Sequence, residues 1–344
     1  MKKTLKAGFI CTVLLLTIAA GGCKKTIKPA TPVTPIVAPT PTPPPVVGVN
    51  TTVWAASSAP FPGETYGRIE SWQRLNNRLK AANGGFGLMA RRSYDTGIPA
   101  NFAASGMADD VGIVSISIGE IKPLPWSKTA DGSTYDQIKK FVQTIPADRK
   151  AYLVFFHEPE DNVSATNSID DLQKAFAGFV TAVLDAKMTN VIPCYVLMSW
   201  TFNPKSNRVP ENYNMAKYLK PEQLKEVVAG LDGYADDPTQ SAKDVFDANF
   251  NKMGTWGFTR FGIFETACHA STSNPAARST WVKGLGDWVN SRKDIEVVSW
   301  FNSGIGDNAG PTGWYLGNWY KNGTSFTWDD ADGTIAAYSQ LLKK

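Results

Sequence analysis

Two glutamates each stand at the end of an apolar run that has the composition of a buried strand. Glu158 ends the stretch AYLVFFHE, directly after His157, and Glu265 ends the stretch FGIFE. Two such groups can cleave a glycosidic bond, because one carboxylic acid protonates the leaving oxygen while the other carboxylate attacks the sugar or activates water. The sequence therefore predicts Glu158 and Glu265 as a catalytic pair.

Aromatic and polar side chains follow other apolar runs or stand in the loops nearby. Flat aromatic faces are surfaces on which sugar rings can stack. We therefore predict the following substrate-binding residues around the catalytic pair: His157, Trp200, Tyr234, Trp300, Asn162 and Trp126. Two further loop tryptophans, Trp314 and Trp319, are candidates for more distant sugar sites. Tryptophans within predicted helices are expected to pack in the core: Trp72, Trp256, Trp281 and Trp288.

Three other titratable residues near these runs leave alternatives open. Glu120 ends the run SISIGE and could replace either catalytic glutamate, or form a salt bridge in its loop. Glu160 is a competitor of Glu158 but is expected to be solvated. His269, the second of only two histidines, lies farther into the loop after Glu265 and either joins the site or stays outside it.

Other kinds of reactive centre lack a complete set of residues. Neither histidine belongs to an H-x₃-H pair, no Cys-x₂-Cys occurs, and the stretch DDADG at 329–333 lacks the remaining ligands of a calcium loop. A serine nucleophile would need the G-x-S-x-G turn, which is absent from the sequence. We predict no metal and no cofactor.

Eight short apolar runs alternate with longer helical stretches between residue 51 and the end of the chain. The predicted strands are 51–55, 86–90, 112–117, 151–156, 190–200, 227–234, 261–265 and 296–301. The predicted helices are 66–82, 135–144, 169–187, 221–226, 241–256, 275–292 and 334–342. The strands are apolar on both faces, which is typical of a parallel sheet covered by helices.

Eight is the number of parallel strands that closes a (β/α)₈ TIM barrel, and we predict that fold as a single domain over 49–344. An open doubly wound sheet is the alternative, but no glycine-rich phosphate loop follows any predicted strand. In such barrels functional residues lie at the carboxyl ends of the strands. That rule places Glu158 on strand four, Glu265 on strand seven, and Arg91 and Arg92 after strand two, all at one end.

Four short segments resemble glycoside hydrolase family 26, the β-mannanase family within the large clan of retaining glycosidases with eightfold barrels. The string VFFHEPEDN, preceded by GSTYDQIKKFVQTIP, resembles the family's fourth strand, and RFGIFETACHAS resembles its seventh. The segments VVAGLDGYADDP and VVSWFN are similar to its sixth and eighth strands. The chain departs from the family pattern beside His-Glu, where two phenylalanines precede and Pro159 follows.

The resemblance implies roles for individual residues. Glu158 would be the acid/base, Glu265 the nucleophile, and His157 a neighbour that orients the site. Tyr234 would contact the nucleophile and Trp300 would line the sugar site. The implied substrate is β-1,4-mannan, with mixed-linkage β-glucan or β-xylan next.

The N-terminus has the layout of a bacterial lipoprotein signal. Three lysines precede an apolar run at 7–20 that ends in AAGGC and is too short to span a membrane. We therefore expect a signal peptide over 1–22 and a lipid on Cys23, with an ordinary cleaved signal as the alternative. Residues 28–48 hold 8 of the 22 prolines and no acid, so 23–48 is expected to be a semi-rigid spacer. The expected location is the cell envelope, on the outer membrane or cell surface.

Charge and cysteine content bound the partners. The formal charge of +4 includes six lysines and no carboxylate in residues 1–48, so the remainder has an excess of acid and gives no support to a nucleic-acid partner. Only Cys194 and Cys268 remain in the predicted domain, where two buried thiols are favoured over one disulfide. The expected partners are a polysaccharide and, through the lipid, a membrane; the protein is expected to be a monomer. A non-catalytic glycan-binding lipoprotein on the same barrel is the alternative function.

Overall fold

The computed structural model describes residues 52–60, 67–95, 97–105, 107, 112–119, 125–270, 273–303, 313–322 and 325–343, with the side chains of 319–322 and 325–327 left aside. The predicted signal, Cys23, the proline-rich spacer and Glu120 lie outside these residues. No helix within the described ranges is long and apolar enough to cross a bilayer.

Eight parallel strands close into a barrel, so the predicted (β/α)₈ fold is confirmed. Each strand pairs with the next along the chain, and the last pairs with the first. The strands are β1 (Val53–Ser58), β2 (Ala90–Tyr94), β3 (Ile113–Ile118), β4 (Lys150–His157), β5 (Val191–Met198), β6 (Val228–Ala235), β7 (Phe261–Cys268) and β8 (Ile295–Asn302).

Helices cover the outside of this barrel. They are α1 (Arg68–Asn83), α2 (Trp126–Ala130), α3 (Tyr135–Gln143), α4 (Ile169–Asp185), α5 (Pro221–Leu224), α6 (Ala242–Thr255), α7 (Ala277–Ser291) and α8 (Thr334–Leu341). Five short 3-10 helices lie in the loops, at Phe102–Ser105, Pro159–Asn162, Ser199–Phe202, Pro204–Ser206 and Pro210–Tyr213. Seven predicted helices are confirmed within about two residues at most ends, which is the usual uncertainty of helix boundaries.

The two faces of each strand pack into two separate apolar layers. On β4, Tyr152 and Val154 point into the barrel, whereas Leu153 and Phe155 pack in the layer beneath the helices. The same alternation holds on β8, where Val297 is inside and Val298 is outside. Because successive side chains of a strand point to opposite faces, one residue of shift decides whether a side chain meets the barrel interior or a helix.

The second strand differs from its predicted position. The apolar run 86–90 predicted a strand that ends at residue 90, but β2 begins at Ala90 and continues through Arg91 and Arg92. Both arginines are buried, with 4% of their surface exposed. Arginine is usually a surface residue, so the sequence-based prediction ended this strand before the two arginines. It therefore left Tyr94 in a loop, whereas Tyr94 is the last residue of β2.

Two elements are absent from the sequence-based prediction. Helix α2 has only five residues, and an antiparallel hairpin of β9 (Asn318–Asn322) and β10 (Ser325–Asp329) follows β8 outside the barrel. Elements this short carry too few residues for a hydrophobic period to identify them. Cys194 and Cys268 are both buried free thiols, which confirms the favoured alternative.

Candidate active site at the carboxyl ends of the strands

A bulge in β4 sets the direction of its last residues. Val154 is paired with Cys194 and His157 with Val196, so β4 has one more residue than β5 over this stretch. Phe156 and Glu158, on either side of His157, have left-handed backbone angles, with φ of 50° and 46°. Non-glycine residues adopt this conformation at a cost of about 1–3 kcal/mol and do so mainly at functional sites. The bulge turns His157 into the barrel and leaves Glu158 at its mouth.

A second bulge does the same on β7. Leu231 of β6 pairs with Ile263, but the next residue, Asp232, pairs with Glu265, so Phe264 is the extra residue of β7. Two consecutive side chains of β7 therefore point to the inside of the barrel: Phe264 belongs to the inner apolar layer, and Glu265 faces the site with only 4% of its surface exposed. Each predicted catalytic glutamate thus follows a bulge in its own strand.

The His157 imidazole joins the two glutamates. Its Nε2 lies 3.3 Å from Oε1 of Glu265 and 3.8 Å from Oε2 of Glu158. The sum of these distances, about 7 Å, is an upper limit on the separation of those two oxygens; it admits the about 5–5.5 Å of retaining glycosidases and only the lower end of the about 6.5–9.5 Å of inverting ones. The structure therefore brings together the three residues that the sequence predicted at the ends of β4 and β7.

The other imidazole nitrogen faces two residues that sequence reasoning did not assign a role. Nδ1 lies 2.9 Å from Nη2 of Arg92 and 3.1 Å from Oδ2 of Asp232. Burial and the nearby Arg92 charge hold the pKa of His157 well below its usual value, so the ring is neutral. A neutral ring that accepts from Arg92 at Nδ1 carries its proton on Nε2, the nitrogen nearest to Glu265. Burial, and then the Glu265 charge, raise the pKa of Asp232, which favours its neutral form beside this ring.

Two phenols hold the Glu265 carboxylate. Tyr94 donates a hydrogen bond to Oε1 and Tyr234 donates one to Oε2, while Nε of Arg92 is 3.9 Å from Oε1. Burial raises the pKa of Glu265, and Arg92 and both phenols oppose that rise. Hydrogen bonds and positive charge directed at a carboxylate favour its ionised form. Glu265 is therefore fixed in orientation, and these donors favour its ionised form against the effect of burial.

Glu158 lies in a different environment from Glu265. Its side chain is 28% exposed, and no phenol or arginine donates to it among the hydrogen bonds of the described residues. Burial, and then the charge of Glu265, raise its pKa well above the usual value. Two carboxyl groups whose environments differ in this way divide into an acid and an anion.

Two predicted sugar-stacking residues are buried in the core instead. Trp300 is fully buried, packs edge-on against Trp281 and Tyr338, and donates from Nε1 to the carbonyl of Trp314 at 2.8 Å. It shares the outer face of β8 with Val298, because this strand continues without a bulge where it pairs with β1. The prediction that Trp300 lines the sugar site is therefore wrong.

Trp126 is the second correction. It begins helix α2 and is not in a loop, and none of its surface is exposed. Its ring packs edge-on against Phe156, the extra residue of the β4 bulge, with 5.3 Å between centroids. Trp126 therefore supports the strained end of β4 from behind instead of contacting substrate.

The remaining predicted residues lie nearer to the mouth. Trp200 is 48% exposed on the 3-10 helix after β5, and Tyr234 contacts Glu265 as described. Asn162 is half-buried after β4 and is not among the residues that line the cavities of the described structure. Trp314 is buried against Tyr234, and its ring is in tilted contact with His269 at 4.0 Å between centroids, so His269 lies one ring behind the site.

Glu160 is not solvated as the sequence suggested. It is 5% exposed, and its Oε1 accepts hydrogen bonds from the Met198 amide at 2.8 Å and the Thr201 hydroxyl at 2.7 Å. Burial raises its pKa to about 7. Glu160 thus ties the loop after β5 to the end of β4.

Tyr94 and Asp232 were missed for reasons that the strands explain. Tyr94 is two residues after Arg92 and Asp232 is two residues before Tyr234. A spacing of two puts each pair on one face of its strand. The spacing of two from Tyr234 could have identified Asp232 from the sequence. Tyr94 could be identified only once β2 was placed correctly.

Two cavities meet at Glu158. The first cavity has a volume of about 810 Å³, and its lining includes His157, Glu158, Glu265, Tyr94 and Trp314. The second cavity has a volume of about 710 Å³, and its lining includes Glu158, Trp200, Asp236 and Asn249. Glu158 is exposed to both, whereas Glu265 lines only the first.

One cluster in the described residues has the donor types of a metal site. Ligand atoms of His157, Asp232 and Glu265 all lie within 4.8 Å of one another. The Arg92 guanidinium already lies against this cluster, 2.9 Å from His157 and 3.9 Å from Glu265. A fixed cation at that position supplies the positive charge and repels a second one.

Comparison with known proteins identifies the fold. No family model matches the chain, and no curated protein matches it. Among solved structures it is similar to XacCel5A, with a TM-score of 0.55 at 12% identity over 86% of this chain and 98% of that one. It is also similar to XacCel5A in complex with cellopentaose (TM-score 0.52, 14% identity, 85% and 99% covered). A glucosidase from Croceicoccus marinus matches with a TM-score of 0.50 at 11% identity, over 86% of this chain and 67% of that one. These glycosidases share the barrel fold with this chain.

Proposed function

We propose that this protein is a retaining glycoside hydrolase that cleaves a β-linked polysaccharide. The observation that supports this most is the pair of carboxyl groups at the end of β4 and on β7, one partly exposed and one buried, which lie on either side of one neutral imidazole. Glu158 has the raised pKa of an acid, and Glu265 has the donors of a stabilised anion. No other set of described residues provides both functions in a cavity of this size.

The proposed reaction has two displacement steps. Glu265 attacks the anomeric carbon and forms a glycosyl ester, while Glu158 gives its proton to the leaving oxygen. Glu158, now an anion, then removes a proton from water while the water oxygen attacks the anomeric carbon; the ester bond to Glu265 breaks, and Glu265 leaves as a carboxylate. Tyr94, Tyr234 and His157 keep the Glu265 carboxylate in one orientation through both steps.

The substrate that we favour is β-1,4-mannan, because the segments around both glutamates resemble a β-mannanase family. The chain's departures beside His-Glu, and the burial of Trp300, weaken the resemblance where the family contacts its sugar. β-Glucan and β-xylan are therefore the next candidates. We further propose that a lipid on Cys23 holds the protein at the cell envelope; Cys23→Ser should release it from the membrane fraction, and unchanged fractionation would contradict this.

Reducing-sugar release from mannan, β-glucan and xylan tests the activity. Glu158→Gln should lower kcat/KM by about 10²–10⁴-fold, since it removes a general acid, and Glu265→Gln should lower it further. Glu160→Gln is the matched control, because it makes the same substitution two residues from Glu158, at a carboxyl group that bonds to the end of β5 and the loop after it. Its activity should stay within about tenfold of the parent.

The outcome also separates the alternatives. Full activity in both Glu158→Gln and Glu265→Gln would contradict the proposal. Binding without turnover, surviving the loss of Glu158, would make the protein a glycan-binding module. The anomeric configuration of the first product, followed by proton NMR, should be that of the substrate; an inverted product would make Glu265 a base that activates water.

A further inference from the structure

The second cavity opens on the Glu158 side of the site. Its lining includes Glu158 but neither Glu265 nor His157, whereas the first cavity includes all three. In the proposed reaction, the nucleophile touches the sugar that stays on the enzyme, and the acid touches the oxygen that leaves. The sugar attacked by Glu265 therefore occupies the first cavity, and the second cavity, which shares Glu158, Tyr234 and Asp236 with the first, is a path for the chain beyond the broken bond.

An exposed tryptophan forms one wall of the second cavity. Trp200 stands on the 3-10 helix Ser199–Phe202 with 48% of its surface exposed. Behind it, Phe202 packs against Trp256 with 5.9 Å between ring centroids. Exposed tryptophan faces beside a cleft offer a large apolar surface at low entropic cost, and a sugar ring can cover such a face.

The segment that carries Trp200 is held from two sides. Glu160 accepts hydrogen bonds from residues before and after Trp200: from the amide of Met198, the last residue of β5, and from the hydroxyl of Thr201. On the other side, Asn249 of α6 donates to the carbonyl of Ser199 at 3.4 Å. Binding surfaces fixed before the ligand arrives lose less entropy when it binds. Trp200 is thus a preorganised surface and not a chance exposure on a loose loop.

The polar groups of the second cavity select against negative charge. Asp236 and Asp244 line it, together with the amides of Gln240 and Asn249, and no lysine or arginine is among its described lining residues. Carboxylates and amides accept hydrogen bonds from sugar hydroxyls. A uronate or sulfate would instead lie beside like charges with no cation to compensate.

We propose that the second cavity binds the leaving-group side of an uncharged polysaccharide, with Trp200 as its stacking surface. This rests on the proposed function and sharpens it: in productive cleavage, sugars of one chain occupy both cavities and the bond between them is broken. Trp200 contributes to cleavage only when the leaving group is itself a sugar chain.

Two substrates of the same sugar separate this site from the catalytic one. The first is an aryl glycoside of a short oligosaccharide, whose nitrophenyl leaving group needs no sugar site beyond Glu158; the second is the underivatised hexasaccharide. Trp200→Ala should lower kcat/KM on the hexasaccharide by about tenfold or more, which corresponds to about 1.4 kcal/mol. It should change kcat/KM on the aryl glycoside by no more than about twofold, because that substrate places no sugar against Trp200 and so gains no binding energy there.

Matched variants keep the result interpretable. Trp200→Phe keeps an aromatic face and should recover part of the loss on the hexasaccharide. Phe86→Ala removes a ring that is 52% exposed before β2, outside both cavities, and should change neither rate. Equal losses on both substrates in Trp200→Ala would overturn the inference, as would no loss on either.

Transfer to added acceptors provides a second readout. With the aryl glycoside as donor, a neutral oligosaccharide acceptor should form transfer products that diminish in Trp200→Ala, and a uronate-bearing acceptor should form few. Equal use of the uronate acceptor would overturn the assignment of an uncharged ligand. If the parent protein turns over neither donor, the proposed function fails and this inference fails with it, a result distinct from the loss of Trp200 dependence alone.

Discussion

The ends of β7 and β8 are neighbours in the barrel but present their side chains in opposite directions. On β7 the extra residue Phe264 disturbs the alternation and brings Glu265 into the site. Along β1, β8 keeps a continuous register from Val297 to Asn302, and Trp300 stays on the outer face. In these two strands, one inserted residue, more than residue type, decides which side chains reach the candidate site.

The largest expected effect concerns the β8 end of this comparison. Trp300→Ala should lower the free energy of unfolding by about 3–5 kcal/mol, because it removes a fully buried indole from the helix-facing layer. The kcat/KM of the folded protein should stay within about threefold. Urea unfolding together with kinetics on the best polysaccharide measures both quantities.

The next residue of β8 is the matched control for that variant. Phe301 is partly exposed, lines the first cavity and packs edge-on against Tyr234. Phe301→Ala should lower kcat/KM more, and stability less, than Trp300→Ala. A larger loss of kcat/KM in Trp300→Ala than in Phe301→Ala would place Trp300 at the mouth of the barrel and contradict its assignment to the outer face of β8.

A smaller effect is expected at the β7 end, in the pH dependence of the reaction. The Tyr94 phenol donates to Glu265 and lowers the pKa of that carboxyl. Tyr94→Phe should therefore raise the pKa of Glu265, so that a higher pH is needed to ionise the nucleophile. The acidic limb of kcat/KM should move to higher pH, and the maximum should fall by about tenfold, the loss expected for about one hydrogen bond to a charge.

Rates measured from acidic to basic pH check this. Tyr234→Phe removes the donor to the other oxygen and should move the limb in the same direction. Tyr218→Phe, which alters an exposed phenol bonded to Asp170, should move nothing. A uniform loss in Tyr94→Phe without movement of the limb would mean that this phenol does not tune Glu265.

The smallest effect tests the bulge of β4 itself. Phe156 has a left-handed backbone, so Phe156→Gly should be more stable than Phe156→Ala by about 1 kcal/mol, although both lose the same packing. Phe155, its neighbour, is not among the residues with positive φ. There the order should reverse, with glycine less stable than alanine by about 0.5–1 kcal/mol. Alanine being the more stable choice at both positions would argue against the bulge.

The barrel and its catalytic pair were predictable because they depend on strong, local signals. Eight apolar runs separated by amphipathic stretches predict the fold, and Glu158 and Glu265 interrupt two of those runs abruptly. Strand ends gather at one side of a barrel whatever the details of register. A coarse reading therefore sufficed to bring these two residues together.

The direction of individual side chains was not predictable, since it depends on register. Nothing in the letters VFFHE marks Phe156 as an extra residue, and nothing in VVSWFN marks the absence of one. Trp300 was misassigned for that reason. Tyr94 was missed because Arg91 and Arg92 make a buried strand look like a surface segment. The charge of Arg92 is compensated by Asp232 and Glu265, which are distant from it in sequence.

The left-handed backbone at Glu158 has a practical consequence for work with the intact polysaccharide. Glu158 has an unfavourable φ, and its carboxyl group has a raised pKa beside Glu265. Both features lower the stability of the folded protein, and we expect them to be kept because the reaction needs this carboxyl group. Asparagine tolerates that backbone and carries no charge. Glu158→Asn should thus give a protein that melts higher than its parent and cleaves about 10²–10⁴-fold more slowly, and such a protein is the suitable form for crystallising the barrel around an uncut glycan.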